Sequence, residues 1–216
     1  MRRMKPILFI ALLLLCMGSG YSEEKAEINI QIDLWNRHLQ LIEDGKVVKV
    51  FPIAPGSKRT PTPVGTFEID QKGRGWGGGF GTRWLGLNVP WGMYGIHGTN
   101  KPHLIGKDVS AGCIRMENKD IEWIYEKVSL GTTVHIVGPI TGPNGEHFAT
   151  LAKGSHGSLV FLVQNRLKAA GYYRKPCNGL YDKYMVAVVK EFQRSEKLPV
   201  TGYFLDRDYI KLGLLE

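Results

Sequence analysis

The sequence predicts two units in one chain: a mainly β region of short strands, then a small all-α unit of three helices. Two observations lead there. Apolar residues alternate with a period of two through the first part of the chain, punctuated by glycine and proline, and beyond residue 157 they recur at helical spacing. The 216 residues are 43% hydrophobic and 22% charged, ordinary globular proportions that exclude wholesale disorder, collagen and coiled coil. That length permits one large domain or two small ones, each with a modest core.

Ile28, Ile30, Ile32 and Leu34 interleave with Asn29, Gln31 and Asp33, the pattern of a half-buried strand. Leu39 and Leu41 precede, and Val48, Val50 and Ile53 follow, the dipeptide Asp44-Gly45, which suits a tight hairpin turn. Thr66–Ile69, Trp84–Val89, Tyr94–His97 and Thr133–Val137 read as further strands. Ten glycines fall between Gly73 and Gly98, among Trp76, Phe80, Trp84, Trp91 and Tyr94. Their density predicts a long shaped loop, with most aromatics in the core and one or two lining a groove. One helix interrupts the strands. Asn118 is placed to cap it, Asp120 suits its positive end, Ile121, Ile124, Tyr125 and Val128 share a face, and Gly131 is placed to end it. After a Gly-, Pro-, Thr- and Ser-rich stretch, Ser158 is placed to cap a helix carrying Leu159, Leu162, Val163 and Leu167. Asp182 is placed to cap a second, carrying Met185, Val188, Val189 and Phe192, and a short third spans Asp206 to Leu212. A helical unit of about 60 residues is near the lower size limit for folding alone.

Residues 1–22 stand apart. Arg2, Arg3 and Lys5 precede an apolar run from Pro6 to Met17, which ends in Gly18, Ser19 and Gly20. This is the pattern of a secretory signal peptide, with an uncleaved anchor as the alternative; the run is short for a membrane span, which takes about 20 residues. Cys16 follows Leu15 where a lipidated cysteine would follow a small residue. Of the 28 basic and 20 acidic residues, 14 of each sign lie between Glu23 and Thr150, whereas residues 151–216 hold 11 basic and 6 acidic. The positive excess of the mature chain thus sits in its last third and suits an anionic polymer met outside the membrane. Nucleic acid is the usual partner of a basic domain, but an exported chain rarely meets it. No membrane partner is expected once the leader is gone. Past the leader only Cys113 and Cys177 remain, with no C-x-x-C pair for a structural zinc site.

The chemistry-bearing segment is Ile96-His97-Gly98-Thr99, followed by Ser110-Ala111-Gly112-Cys113-Ile114-Arg115-Met116. A thiol is nucleophilic as thiolate, and a neighbouring imidazole can take its proton. Lowering a thiol pKa from about 8.5 to ~7 raises the thiolate fraction about eightfold at pH 7.5, worth only about 1.2 kcal/mol. Lower basicity also reduces nucleophilicity, so orientation and an oxyanion site must supply more. Gly112 lets the backbone approach a bound carbonyl, the Cys113 N–H can help hold an oxyanion, and Arg115 projects to the same side of an extended chain. Other readings of these residues stay open. A lone cysteine is often a small buried hydrophobe, and a lone histidine is often structural. His97, His103, Cys113 and His135 could gather a metal, although no H-E-x-x-H or similar spacing supports that.

The pattern I-H-G-T, followed by S-A-G-C-I-R-M with Cys113 sixteen positions after His97, resembles the L,D-transpeptidase family of bacterial wall enzymes. Thr60–Phe67 (T-P-T-P-V-G-T-F) and Asn118–Asp120 (N-K-D) resemble that family's other landmarks, and the likeness covers roughly Glu27 to Val137. The tail resembles a peptidoglycan-binding domain through Gly154-Ser155-x-Gly157, Val163-Gln164-x-x-Leu167, Gly171-Tyr172, Gly179-Leu180-Tyr181-Asp182, Val188-Val189 and Phe192-Gln193. These resemblances imply a mainly-β sandwich or barrel-like catalytic domain at 23–138, a linker at 139–150 and a peptidoglycan-binding domain at 151–216. Carried over by position, Cys113 is the nucleophile, His97 the base and the Gly98 carbonyl its orienting partner, while Gly112, Arg115, Ser110 and Thr99 serve oxyanion or substrate binding, with no metal or cofactor.

The implied reaction is acyl transfer. Cys113 attacks the amide after the third residue of a peptidoglycan tetrapeptide stem, releases D-alanine, and the thioester passes to a neighbouring stem as a 3→3 cross-link. Capture by water makes an L,D-carboxypeptidase instead, and carbapenems are expected to inactivate either. The partners are stem peptide and glycan, and the chain is expected to be a monomer. A wall-binding protein with an inert catalytic domain is a different reading, disfavoured by the presence of both His97 and Cys113. A cysteine peptidase is disfavoured because papain-like enzymes place the nucleophile before the histidine. Two positions depart from the families: Ala111 where many members have His, and Met185 where the binding domain often has Thr. Cys177 is expected to be unbonded, since a bridge to Cys113 would consume the nucleophile.

Overall fold

The computed structural model describes residues 26–140 and 148–215; the expected leader at 1–22 and the middle of the expected linker lie outside them. Eight strands, β1 Ile28–Asp33, β2 His38–Glu43, β3 Lys46–Pro52, β4 Gly65–Arg74, β5 Arg83–Leu87, β6 Tyr94–His97, β7 Ile114–Arg115 and β8 Thr133–Val137, form one sheet in the order β3-β2-β1-β8-β4-β5-β6-β7. The β1–β8 and β6–β7 pairs are parallel, and the others are antiparallel. β4 pairs with β8 along Gly65–Glu68 and with β5 along Ile69–Arg74, shifting register between Ile69 and Gln71. That irregularity curls the sheet. The two ends of the strand order then meet, because Ala54, just past β3, exchanges backbone hydrogen bonds of 2.9 and 3.0 Å with Arg115 of β7.

The period-two reading of β1 holds: Ile30 and Ile32 are fully buried, and Gln31 and Asp33 are half-buried. Asp44 and Gly45 take φ of 48° and 74°, the mirror-image geometry a two-residue hairpin needs. Val48 and Val50 face solvent instead of the core: Val50 lies opposite Gln40 on the outward face of β2, whereas Phe51, opposite the buried Leu39, and Ile53 turn inward.

Helix α1, Asn118–Lys127, packs Ile121, Ile124 and Tyr125 inward against β5 and β6. Its N-cap is Glu117; Asn118 lies one residue inside the helix and its side chain serves another purpose, described below. The helix stops at Val128, and Gly131 falls in the following turn rather than at the helix end. Lys72 Nζ, from β4, donates to the Tyr125 and Val128 carbonyls at 2.7 and 2.6 Å, a cation on the negative end of the helix that periodicity does not reveal.

A second buried cluster runs from Leu151 to Tyr209 around helices α2 Ser158–Ala169, α3 Lys183–Ser195 and α4 Asp206–Lys211. Asp182 caps α3 as its sequence position suggests, its Oδ1 accepting the Met185 N–H at 2.8 Å. Gly157, not Ser158, is the N-cap of α2, which frees the Ser158 hydroxyl. Two fully buried glutamines play the same part twice. Gln164 Oε1 accepts the Asn178 and Gly179 N–H groups at 2.9 and 2.7 Å, and Gln193 Oε1 accepts those of Thr201 and Gly202 at 3.0 Å each. Each amide nitrogen donates to a backbone carbonyl, Leu180 or Tyr203. A polar side chain at the centre of a small core thus ties each helix to the loop that follows it.

Replacing Gln193 by Met keeps the volume but strands the buried Gly202 N–H and removes a donor from the buried Asp208 carboxylate. A loss of about 2–3 kcal/mol is expected in urea unfolding followed by helical circular dichroism. An unchanged midpoint would show that these groups find other partners.

Candidate active site

The closure of the sheet builds the site. β7 runs parallel to β6 with Ile96 opposite Ile114 and His97 opposite Arg115. Ile96, Ile114 and Met116 point into the core. By alternation, His97, Cys113 and Arg115 share the other face of adjoining strands. Sixteen residues of separation in sequence thus become a diagonal step across one pair of strands.

His97 is 3% exposed, and its Nδ1 donates to the Gly98 carbonyl at 2.6 Å. A carbonyl only accepts, so the proton of the neutral ring sits on Nδ1 and the lone pair stays on Nε2. Phe80 and Trp84 pack the imidazole at centroid distances of 5.0 and 5.7 Å, and Trp76 stacks on Trp84 at 4.9 Å. Burial pushes the imidazole pKa below its ordinary 6.5; the Gly98 carbonyl opposes this, the Arg115 charge adds to it, and the Phe80 carbonyl opposes it. The same two carbonyls favour an imidazolium once the ring has taken a proton.

Cys113 is half-buried and free. Burial raises its thiol above the ordinary 9.0, while the Gly95 N–H and the Arg115 charge pull the other way. The resting pair is therefore a neutral thiol beside a neutral imidazole, not a thiol acidified in advance. Cys177 is free as well.

The loop before Cys113 is held from within. The buried Ser110 hydroxyl donates to the Cys113 carbonyl and accepts the Gly112 N–H at 3.0 Å. Gly112 has φ of 113°, and a Cβ there would lie 2.7 Å from Cε1 of Tyr94, so both conformation and space require glycine. Because the Gly112 N–H is engaged by Ser110, the Cys113 N–H, which has no acceptor among the described residues, is the free donor of the pair. The Ser110 carbonyl in turn accepts from the Ser57 N–H at 3.0 Å and the Thr60 hydroxyl at 2.9 Å, which fixes the Thr60–Phe67 segment against the Ser110–Cys113 loop. Arg115 forms no ion pair among the described residues and its buried Nε has no partner there, leaving the guanidinium available to an anion. Thr99 is buried and accepts the Lys101 N–H at 3.0 Å, shaping the turn that follows His97 and Gly98. His103 lies on an exposed turn, and His135 pairs with the Thr66 hydroxyl at 3.0 Å; the sheet does not bring either to Cys113 and His97.

Several contributors escape the sequence reading. Asn118 Oδ1 accepts the Thr82 N–H at 3.3 Å and lies where a Cβ on Gly81 or Gly98 would collide with it. The carbonyl that orients His97 therefore depends on two glycines and the first turn of α1. Tyr94 and Phe80 were visible as aromatics in a glycine-rich stretch, but nothing in their spacing assigned them to Gly112 or His97.

A family model described as the L,D-transpeptidase catalytic domain (YkuD) matches residues 27–136, and one described as "Putative peptidoglycan binding domain" matches residues 156–204. The chain is 45% identical over 108 residues to "Putative L,D-transpeptidase YkuD" of Bacillus subtilis, an alignment covering 50% of this chain and 65% of that protein. It is 47% identical over 107 residues to the protein of the same name in Bacillus licheniformis, covering 50% and 64%. The chain thus spans less than two thirds of these relatives. Among solved structures, an L,D-transpeptidase from Mycobacterium smegmatis is 25% identical, with 52% of this chain and 59% of that chain covered and a TM-score of 0.45. With its catalytic-domain model matched over more than half its length, the chain belongs to the YkuD family of L,D-transpeptidase catalytic domains.

Proposed function

We propose that this chain is an exported peptidoglycan L,D-transpeptidase, with the catalytic domain at 23–138, a linker at 139–150 and the wall-binding domain at 151–216. The observation that carries the reading is the 2.6 Å bond from His97 Nδ1 to the Gly98 carbonyl, which leaves Nε2 as a base on the face shared with Cys113. In the proposed reaction, a tetrapeptide stem presents the carbonyl of its third residue to Cys113. As sulfur attacks, His97 Nε2 takes the thiol proton, and the oxygen of the tetrahedral intermediate is met by the Cys113 N–H and the Arg115 charge. The C–N bond breaks, His97 returns the proton to the departing D-alanine amine, and a thioester remains. The side-chain amine of a neighbouring stem's third residue then attacks the thioester and gives up its proton through His97. A 3→3 amide forms and the thiol is restored. Ser110, Gly112 and Thr99 act by shaping the two turns, and Gly98 by orienting the ring.

The basic excess of residues 151–216 supports binding to an anionic wall, and the leader pattern at 1–22 supports export. We take the working form to be a monomer without metal or cofactor.

Incubated with disaccharide tetrapeptide, the purified protein should yield a dimer lacking one D-alanine, read by mass spectrometry. Cys113→Ala should abolish the product and Cys113→Ser should reduce it by at least about 100-fold. Dimer from Cys113→Ala would reject the nucleophile, whereas tripeptide without dimer would identify water as the acceptor.

A second prediction concerns pH. His97 works as a base only when neutral and its pKa is lowered, so acylation should fall away in acid with a midpoint below pH 6.5. Alkylation of Cys113 by iodoacetamide reports thiolate, so in the resting protein its rate should climb with a midpoint above pH 9.0. An acid midpoint above 6.5, or a thiol titrating near neutrality, would contradict the neutral resting pair.

A further inference from the structure

The helical unit meets the β unit around Phe161, and that contact leads to the nucleophile. Phe161, in the first turn of α2, stacks on Phe67 of β4 with centroids 6.3 Å apart and 30° between planes, and meets Trp91 at 5.4 Å. Phe67 and Trp91 are themselves 5.9 Å apart, edge to face. The Ser158 hydroxyl, free because Gly157 caps the helix, accepts the Val64 N–H at 2.9 Å. The buried Gly179 backbone lies so close to the six-membered ring of Trp91 that any side chain there would strike it. Gly179 is itself held by Gln164 at 2.7 Å, at the centre of the helical core.

Trp91 also faces the other way. Its indole N–H is turned to the Tyr94 hydroxyl, and the Tyr94 ring lies against Gly112, immediately before Cys113. From the helical core to the nucleophile loop, the packed order is therefore Gly179 and Phe161, Trp91, Tyr94, Gly112. The Gly179–Trp91 and Tyr94–Gly112 steps set rings against backbone that admits no Cβ, and the step between them is an indole N–H turned to a hydroxyl, so a displacement at one end is passed along the row.

We propose that Trp91 is a positioning residue for the acyl-transfer reaction, clamped by the docked helical unit and holding the Tyr94 ring against the Gly112–Cys113 backbone. The proposal rests on Cys113 being the nucleophile of the reaction above and adds that the wall-binding unit is part of the active-site wall. A module on a free tether would concentrate the enzyme on its polymer and leave small soluble donors unaffected. A docked module changes turnover even where no polymer is present.

The test uses the full chain with Phe161→Ala and Trp91→Ala, and Phe161→Tyr as the conservative variant. With a soluble tetrapeptide donor, the two alanine variants should lose about 10-fold in kcat while KM changes less than about 3-fold, since small misplacements at the reacting centre act on the chemical step. Phe161→Tyr should recover most of the loss. Iodoacetamide labelling of Cys113 should shift by at least about 3-fold in both alanine variants, because the packing around the thiol changes. Sedimentation of Phe161→Ala with purified wall should match the parent, which shows that the helical unit is still folded. Should Phe161→Ala fail to sediment, Ser158→Ala, which removes only the Val64 contact, takes its place with the same expected direction. Parent values of kcat, KM and labelling rate in a variant that still binds wall would overturn the proposal. If the parent turns over no donor, the transpeptidase reading fails by itself, and the labelling rate alone decides whether Trp91 positions Cys113.

Discussion

The Ile114–Met116 segment is held by backbone hydrogen bonds on both sides, and the site depends on that. On one side Arg115 exchanges two hydrogen bonds with Ala54; on the other it lies opposite His97, with the Met116 N–H donating to the His97 carbonyl at 2.9 Å. A two-residue strand would have little stability alone, but here it is the seam that closes a curled sheet. Because paired residues point to the same face, fixing β7 between β6 and the Ala54 segment fixes Cys113 and Arg115 on the His97 face. A slip of one residue would turn both into the core and bring Ile114 and Met116 to the surface. The burial of those two apolar side chains, each 1% exposed or less, is what enforces the register of His97 and Cys113.

The helical unit solves a different problem with different means. It has too few residues to rely on apolar burial alone, so each of its longer helices centres a glutamine that satisfies the backbone of the next loop. The arrangement fixes loop conformations to within a hydrogen bond, and one of those loops carries Gly179 onto Trp91. Stability of the small core and placement of the unit against the sheet thus share the same residue, Gln164.

What the sequence made legible follows from periodicity and turn chemistry. β1, the Asp44-Gly45 hairpin, the inward face of α1 and the Asp182 cap are each local, decided by residues within about one turn or one hairpin of each other. The His97 and Cys113 pair was legible because its flanking motifs resemble a known family, not because spacing alone implied contact. The parts that escaped are the ones in which a local preference lost to a distant partner. Asn118 forgoes capping because Thr82 and the Gly81–Gly98 crossing claim its side chain; Ser158 forgoes capping because Val64 does. Val48 and Val50 keep the spacing of a strand face, yet pairing sets Val50 opposite Gln40 and gives the inward face to Phe51. The role of Ser110, donor to Cys113 and acceptor from Gly112 at once, requires knowing how a tight turn folds back on itself.

The neutrality of the resting pair bears on how such a site remains usable. A thiolate is the form that reacts with oxidants and stray electrophiles, so a cysteine kept acidified in advance is vulnerable wherever oxidants are present. Here burial raises the thiol and lowers the imidazole, so at neutral pH neither group carries charge. Transfer of the proton from sulfur to Nε2 then needs something that favours the separated charges. The Gly98 and Phe80 carbonyls favour the imidazolium, and Arg115 lies close enough to both groups to favour the anionic partner. Arg115 also disfavours the imidazolium, so by itself it cannot drive the transfer. In the proposed reaction, a substrate oxyanion that engages the arginine lessens that opposition and its support of the thiolate alike, while the Gly98 and Phe80 carbonyls go on favouring the imidazolium. Under that proposal, reactivity then depends on a seated substrate offering its oxyanion to Arg115 and the Cys113 N–H, rather than on a thiolate stored in the cysteine.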